Sequence, residues 1–418
     1  MKFVWRGRLF AAGLIACCGA SLSVLAAPSD EPWSRWRGAD GAGQGGAARF
    51  PVEWTEVDWA WTVALPGTGN ASPVVWRGHI YTASADPKAG RRSVTCHALA
   101  DGTLLWQRDF PGTIDPHHAQ NSSASGSVAV DALGVYWMWG TRERSRVEAL
   151  DHNGQSRWHV DLGPFEAQHG FAATPAVCRD ILIVPDDQDA SSRVLGLDVA
   201  TGRERWRLDR DASKANYSTP LVVEREGHPP IVILTSMSHG VTAVDSGTGK
   251  VLWEERCLPK RAVSSPILAG DLLIGTSGDG GGDNALAAVR PPSSTEKPEV
   301  VYTLDRSVAP YVPTPLYEGG LVYLWNDRGV VTCIRSATGE TVWRGRVGGT
   351  YYASPIAVGD TVRNVSVDGE AVAIRMGDSF EVLGRADLGE PCRATPAVVG
   401  SRMVFRSVGR LMALDAEP

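Results

Sequence analysis

The sequence predicts an all-β fold: an eight-bladed β-propeller of four-stranded antiparallel blades, closed by an N-terminal strand that completes the last blade. Three observations carry this expectation. A Ser/Thr-Pro dipeptide recurs at Ser72-Pro73, Thr174-Pro175, Thr219-Pro220, Ser265-Pro266, Thr314-Pro315, Ser354-Pro355 and Thr395-Pro396, with a degenerate eighth copy at Ser125-Gly126. Ser72 and Thr395 lie 323 positions apart, and seven steps of roughly 46 residues match the blade period of propellers. A glycine four residues before a tryptophan also repeats, at Gly102/Trp106, Gly154/Trp158, Gly202/Trp206, Gly249/Trp253 and Gly339/Trp343. Finally, the chain ends are complementary. A Trp-rich strand at 59–65 precedes the first Ser-Pro and has no blade of its own, while Thr395 to Asp415 supplies three strands and then stops.

The best-formed repeat, 174–209, shows why each unit is a sheet. Short runs of Val, Ile and Leu bounded by Pro, Gly and Asp read as strands rather than helices. Gly202 takes the positive φ of the last hairpin at little steric cost, and Trp206 follows on the outer strand as an anchor between blades. One such sheet cannot bury both faces alone, so it needs neighbours, and ring closure removes the edges that would otherwise invite aggregation.

Taken from the start, residues 1–26 read as a signal peptide: a basic MKFVWRGR followed by an apolar run from Leu9 to Leu25, too short to anchor well. Cleavage after Val24-Leu25-Ala26 is one reading. Leu14-Ile15-Ala16-Cys17 as a lipobox, with Cys17 a lipid anchor, is the other. Both place the protein in the periplasm or outside the cell, and no later segment has the length and apolarity to span a bilayer. Residues 27–58, rich in Gly, Trp and Asp without period, are expected to form an irregular strap on the single propeller domain at 59–418.

Composition narrows the chemistry. A net charge of −6 with acids and bases interspersed gives no basic stripe for nucleic acid. Beyond the signal, Cys96, Cys178, Cys257, Cys333 and Cys392 are odd in number and scattered, so they form no disulfide framework. The acidic stretches Asp186-Asp187-Gln188-Asp189 and Asp279 to Asp283 lack EF-hand spacing and read as solvated turns. Ser246-Gly247-Thr248-Gly249-Lys250 sits in a hairpin rather than at a helix start, so it is no phosphate loop. Ser294-Thr295-Glu296-Lys297 lies in a Pro-rich loop without a nucleophile elbow. His117-His118 has no neighbouring ligands to complete a zinc site.

The Ser/Thr-Pro…Leu-Asp…Thr-Gly…Trp pattern resembles the quinoprotein, or PQQ-like, repeat. Trp33-Ser34-Arg35-Trp36-Arg37-Gly38, Gln168-His169-Gly170, Asp187-Gln188-Asp189, Tyr323-Leu324-Trp325-Asn326-Asp327 and Gly389-Glu390-Pro391-Cys392 extend it over nearly all of the chain after the signal. It is similar to the extracytoplasmic PQQ-binding-like propellers of bacteria, and distantly to the propeller lipoprotein of the outer-membrane β-barrel assembly machinery. That resemblance implies the propeller fold and a role in the envelope, and it raises PQQ with Ca²⁺ as a cofactor. The quinoprotein alcohol dehydrogenases hold the quinone beside a ring of adjacent disulfide-bonded cysteines and a metal held by Glu, Asn and Asp. Here the adjacent pair, Cys17-Cys18, falls in the signal, and the expectation is no cofactor.

What remains is the channel rim. Each segment before a Ser/Thr-Pro returns from an outer strand to an inner one and crosses one face near the axis. These segments carry His117, His118, Asn121, Gln168, His169, Tyr217, Tyr311, Tyr352 and Arg393, together with Asn70, Asn216, Arg261 and Tyr351. Binding residues concentrate on such loops over rigid scaffolds. The residues favour a monomeric, non-catalytic binding or scaffold propeller with a protein or small-molecule ligand in the envelope. The alternative is a quinone-linked oxidoreductase or another enzyme using the rim.

Overall fold

The computed structural model describes residues 33–417 apart from 190, 212–213, 226 and 294–296. The segment expected to be a signal peptide (with Cys17), the first residues of the strap and Ser294 to Glu296 lie outside the described residues. Eight four-stranded antiparallel sheets form the body. Blades one to seven each take four consecutive strands, beginning at Val74, Ala129, Ala176, Leu221, Ile267, Leu316 and Ile356. Blade eight takes Ala397–Val399, Arg402–Arg406 and Arg410–Asp415, and its outer strand is Trp61–Ala64 from the other end of the chain. Trp61 pairs with Ala413, Thr62 with Met412, Val63 with Leu411 and Ala64 with Arg410. The ring is closed as the chain-end mismatch predicts.

Within a blade, burial follows position. The second strand of blade three, Ile181–Asp186, is buried at every residue, whereas its outer strand Glu204–Arg210 is mostly exposed. Middle strands lie between two neighbouring blades and are apolar on both faces, while outer strands carry charge toward solvent.

The blades are stitched together by the Gly/Trp pairs, in a register offset by one repeat. Gly202 has φ +72°, and a Cβ there would lie 2.7 Å from the ring of Trp158 in the preceding blade. Gly154 receives Trp106, Gly249 receives Trp206 and Gly102 receives Trp61 in the same way. Each indole also donates across the junction, Trp61 to Leu99 O, Trp106 to His152 O, Trp158 to Val199 O and Trp206 to Ser246 O, at 2.8–3.1 Å. At Gly339 the partner is Tyr302, whose hydroxyl donates to Ser336 O at 2.9 Å.

Residues 33–60 hold one short 3₁₀ turn, Glu56–Asp58, and cross the axis. Trp33 bridges Val75 of blade one and Gln44 bridges Ala357 of blade seven. Between them, the Arg35 guanidinium donates to Pro220 O at 2.9 Å. That of Arg37 donates to Pro315 O at 3.1 Å and Pro355 O at 2.9 Å. The strap thereby ties blades one, four, six and seven.

Two expectations are corrected. The eighth repeat marker is Ser127, not Ser125-Gly126: Ser127 Oγ accepts from Ser72 N and its own N–H donates to Thr174 Oγ1, the pattern that Ser265, Thr314, Ser354 and Thr395 also keep. The stretch at 186–189 is not a solvated turn. Asp186, Asp187 and Gln188 are buried, with Asp186 paired to Arg193 at 2.9 Å and Asp187 to Arg210 at 3.2 Å. Charges buried in this way persist because they are paired.

Candidate functional site

The Ser/Thr markers make the throat of the channel. The backbone N–H of seven of the eight donates to the hydroxyl of the next: Ser72 to Ser127, Ser127 to Thr174, Thr219 to Ser265, Ser265 to Thr314, Thr314 to Ser354, Ser354 to Thr395 and Thr395 back to Ser72, all within 2.8–3.1 Å. Buried backbone donors near the axis are satisfied this way without a sheet ladder. All eight markers line a cavity of about 310 Å³ on the axis.

A second ring stands on the first. The residue two positions before each marker also lines the cavity: Asn70, Ser125, Ala172, Tyr217, Val263, Val312, Tyr352 and Arg393 in blade order. In an extended segment, residues two apart share a face, so the hydroxyl ring and this ring are stacked. Trp36 of the strap, between the anchored Arg35 and Arg37, joins the lining, and the Arg37 guanidinium lies 5.6 Å from its ring centre.

Of the rim residues expected from the sequence, His118, Asn121, His169, Tyr217, Tyr311, Tyr352 and Arg393 meet at this cavity. His117 and Gln168 do not. They line a narrow crevice with Arg92 and Asp115, because neighbouring residues of an extended segment point opposite ways. The same alternation turns Asn216 and Tyr351 away from the cavity, into the blades. The Asn216 amide donates to Ser218 Oγ at 2.7 Å and Thr235 O at 2.5 Å, and Tyr351 packs against Trp325. Arg261 sits behind Tyr217, 5.7 Å from the ring centre and 3.9 Å from Asp189.

The wall is held from behind. The His118 and His169 rings meet edge to face at 4.9 Å, and the Asn121 amide donates to His169 O at 2.8 Å. The backbone N–H groups of Tyr311 and Val312 donate to Asp327 at 2.8 and 3.0 Å. Burial first, and then Arg261 and His118, hold His169 below the usual histidine range, favouring the neutral ring. Burial pushes Tyr217 up to about 12, and its hydroxyl has no hydrogen-bond partner. Arg393 Nε is likewise buried without one.

Among the described residues, no aspartate or glutamate lines the cavity, and no group of three or more His, Cys, Asp or Glu is arranged for a metal ion. A Ca²⁺ ion takes six to eight oxygens, carboxylates among them. The donor set on this wall therefore does not fit a metal-assisted PQQ. Among the described residues, the five cysteines are free. Four are buried, and burial pushes the thiol of Cys392 up to about 11, away from reactive thiolate.

Eight blades of the Ser/Thr-Pro…Gly…Trp repeat around an axial cavity define a quinoprotein-like propeller. The family model described as outer membrane protein assembly factor BamB matches residues 58–297, 193–377 and 283–417, and the chain belongs to this family. Among curated proteins, a 1-butanol dehydrogenase (cytochrome c) of Thauera butanivorans is 29% identical over 154 residues, 34% of this chain. The match spans 21% of that relative's length. BamB from Moraxella catarrhalis superposes with a TM-score of 0.61 at 17% identity, covering 85% of this chain and 96% of that one. A quinohemoprotein alcohol dehydrogenase from Comamonas testosteroni gives 0.65 at 15% identity, covering 92% and 80%. At these identities the two structures speak for the fold alone.

Trp36 and the hydroxyl ring were not singled out as lining residues from the sequence. The signal was the repeat marker itself: counting back two from each Ser or Thr names the second ring.

Proposed function

We propose that this protein is an extracytoplasmic, non-catalytic binding propeller that serves envelope protein assembly and uses the axial cavity as its binding site. The observation that carries this reading is the cavity wall. Aromatic faces, neutral hydrogen-bonders and one unpartnered guanidinium converge there on a rigid ring, which is the make-up of a recognition site. Among the described residues, seven of the eight hydroxyls beneath accept from backbone N–H groups, and none is hydrogen-bonded to a histidine or carboxylate that could serve as its base. Export rests on the N-terminal signal pattern, with Cys17 as the alternative lipidated terminus. The assembly role rests on family membership, and its partner is an envelope protein.

The test is made in the organism that encodes the protein. Deleting the gene should lower the folded, heat-modifiable fraction of outer-membrane β-barrels, and the wild-type gene should restore it. The His169→Ala/Arg393→Ala double variant should fold yet fail to restore. Unchanged barrels on deletion would sink the assembly role, and full restoration by the variant would move the site off the cavity.

A second reading, a quinone-linked oxidoreductase, is favoured by the 154-residue similarity to the dehydrogenase. It needs an ion seat that the cavity wall lacks. Dye-linked alcohol oxidation with added PQQ and Ca²⁺ decides between the two.

A further inference from the structure

The second ring is divided. Taken around the axis, blades eight, one and two contribute Arg393, Asn70 and Ser125, all polar. Blades three to seven contribute Ala172, Tyr217, Val263, Val312 and Tyr352, which present apolar or aromatic surface. Arg393 in blade eight is therefore across the ring from Tyr217 in blade four, with Tyr311 beside Val312 on the apolar arc. A site with one cationic arc and one apolar arc recognises an amphiphile in a single orientation.

On the polar side of the axis the charged groups close behind the lining are arginines, while the carboxylates nearest the wall, Asp189 and Asp327, stand behind the apolar arc and accept from backbone N–H groups. Arg393 is joined by three buried arginines close to the lining. Arg35 and Arg37 flank Trp36, and Arg406 lies against Gly69, next to Asn70, where a Cβ would come within 2.8 Å of its guanidinium. Among the described residues none of the four has a carboxylate within ion-pair distance. Arg35 and Arg37 bond to proline carbonyls. The Asp40 carboxylate that acts on both from a distance is exposed and accepts from Ala42 N instead. Arg406 bonds to Ala83 O and leaves Nε and Nη1 unpaired. Burial depresses Arg35, Arg37 and Arg406 to about 10, 9 and 9, the mark of guanidinium groups held without a counter-charge.

We propose that the axial cavity binds a small anion, a carboxylate or phosphate ester on a flat apolar body, with the anion at Arg393 and the body among Tyr217, Tyr311 and Tyr352. This deepens the reading of the cavity as the binding site and rests on it. A guanidinium offers paired N–H donors that suit either anion, and a tyrosine face suits a planar body. One contacting cation and no carboxylate on the wall suit an anionic group held without a metal. The volume, about 310 Å³, is at the small end of ligand pockets.

The experiment titrates the purified full-length mature protein by calorimetry and by Trp fluorescence with benzoate, phenyl phosphate, benzyl alcohol and inorganic phosphate. Benzoate or phenyl phosphate should bind on the order of ten-fold or more tightly than benzyl alcohol, and Arg393→Gln should abolish that preference. Inorganic phosphate, lacking the flat body, should bind weakly. Whichever of the two aromatic anions binds more tightly identifies the headgroup, and either result sustains the proposal. Equal affinity for benzyl alcohol, an unaffected Arg393→Gln variant, or no binding of either aromatic anion overturns it. Arg393→Lys, which keeps the charge, serves as the folding control and should retain part of the preference. If anion binding fails while the gene deletion still lowers folded barrels, the ligand assignment falls and the binding propeller stands. The opposite pair of results removes the assembly role and leaves the anion site.

Discussion

A single glycine shows how tightly the blades are fitted. At Gly202 two demands coincide, a left-handed backbone at φ +72° and the Trp158 ring 2.7 Å from where a Cβ would sit. Gly78 makes the first demand alone, with φ +77° and nothing within 4 Å of its virtual Cβ. Gly202→Ala should therefore lose about 2–4 kcal/mol, and Gly78→Ala about 1 kcal/mol, in denaturant midpoints. Equal losses would mean that the indole contact contributes nothing. The sequence announced the glycine and the tryptophan as a pair, but within one repeat. The contact joins consecutive repeats, and spacing inside a hairpin carries no record of the neighbour a blade turns its face to. His97 supplies a second residue-level expectation. It is buried, its Nδ1 lies 3.0 Å from Gly102 O, and Nε2 has no partner. Burial first holds its pKa below the ordinary 6.5, against the raising effect of the Gly102 bond. The unfolded chain then takes up a proton near pH 6.5 that the folded chain refuses, so this group costs stability as pH falls below 6.5. His97→Gln should flatten that decline between pH 7 and 5 in thermal melts, and an unaltered slope would assign it to other groups.

Among elements, the closing strand and the strap are separable. Trp61–Ala64 gives blade eight its outer strand, and Trp61 also fills the space above Gly102. The strap contributes Arg35 and Arg37 to the axis instead. Removing 28–66 should cost on the order of 5 kcal/mol or more and yield aggregating protein, since it bares the edge of Arg410–Asp415. Removing 28–58 should keep the ring closed at a smaller loss. Melting and size-exclusion profiles check both, and an unchanged melting temperature after the longer deletion would rule out non-covalent closure as a source of stability. Closure was legible because it is a counting problem: one strand over at the start, one missing at the end. The second blade was harder. Its marker, Ser127-Val128, keeps the hydroxyl and drops the proline, and the throat uses the hydroxyl. Asp186 to Gln188 were misread for a different reason. Their arginine partners, Arg193 and Arg210, come from the next two strands, and an acidic run alone does not disclose them.

At the scale of the whole molecule, eightfold repetition converts a register into a site. That the rim residues converge on one axis was legible from the repeats. Which member of each adjacent pair faces inward was legible only through the two-residue alternation. In His117/His118, Gln168/His169, Asn216/Tyr217 and Tyr351/Tyr352 it is the second residue that lines the cavity. The arginines behind the wall were not legible, because Arg35, Arg37 and Arg406 reach the axis from the strap and from the far end of the chain. The composition of the assembled channel leads to the last prediction. A metal-assisted quinone needs several oxygens around its cation. Here every charged side chain on or just behind the lining from the strap and blade eight is an arginine, and the described carboxylates nearest the wall are already engaged. Asp327 accepts from two backbone N–H groups, and Asp189 from Gln168 N and Ala215 N. Ca²⁺ entering the cavity would meet like charge and hydroxyls already committed to the backbone. Purified mature protein should therefore show no Ca²⁺-dependent affinity for PQQ in the micromolar range and no dye-linked oxidation of alcohols after reconstitution. Any affinity for PQQ should be weak, indifferent to chelator and lost in Arg393→Gln, as for an ordinary anion. Stoichiometric binding that EDTA abolishes would overturn the prediction and move the protein among the quinone-linked enzymes.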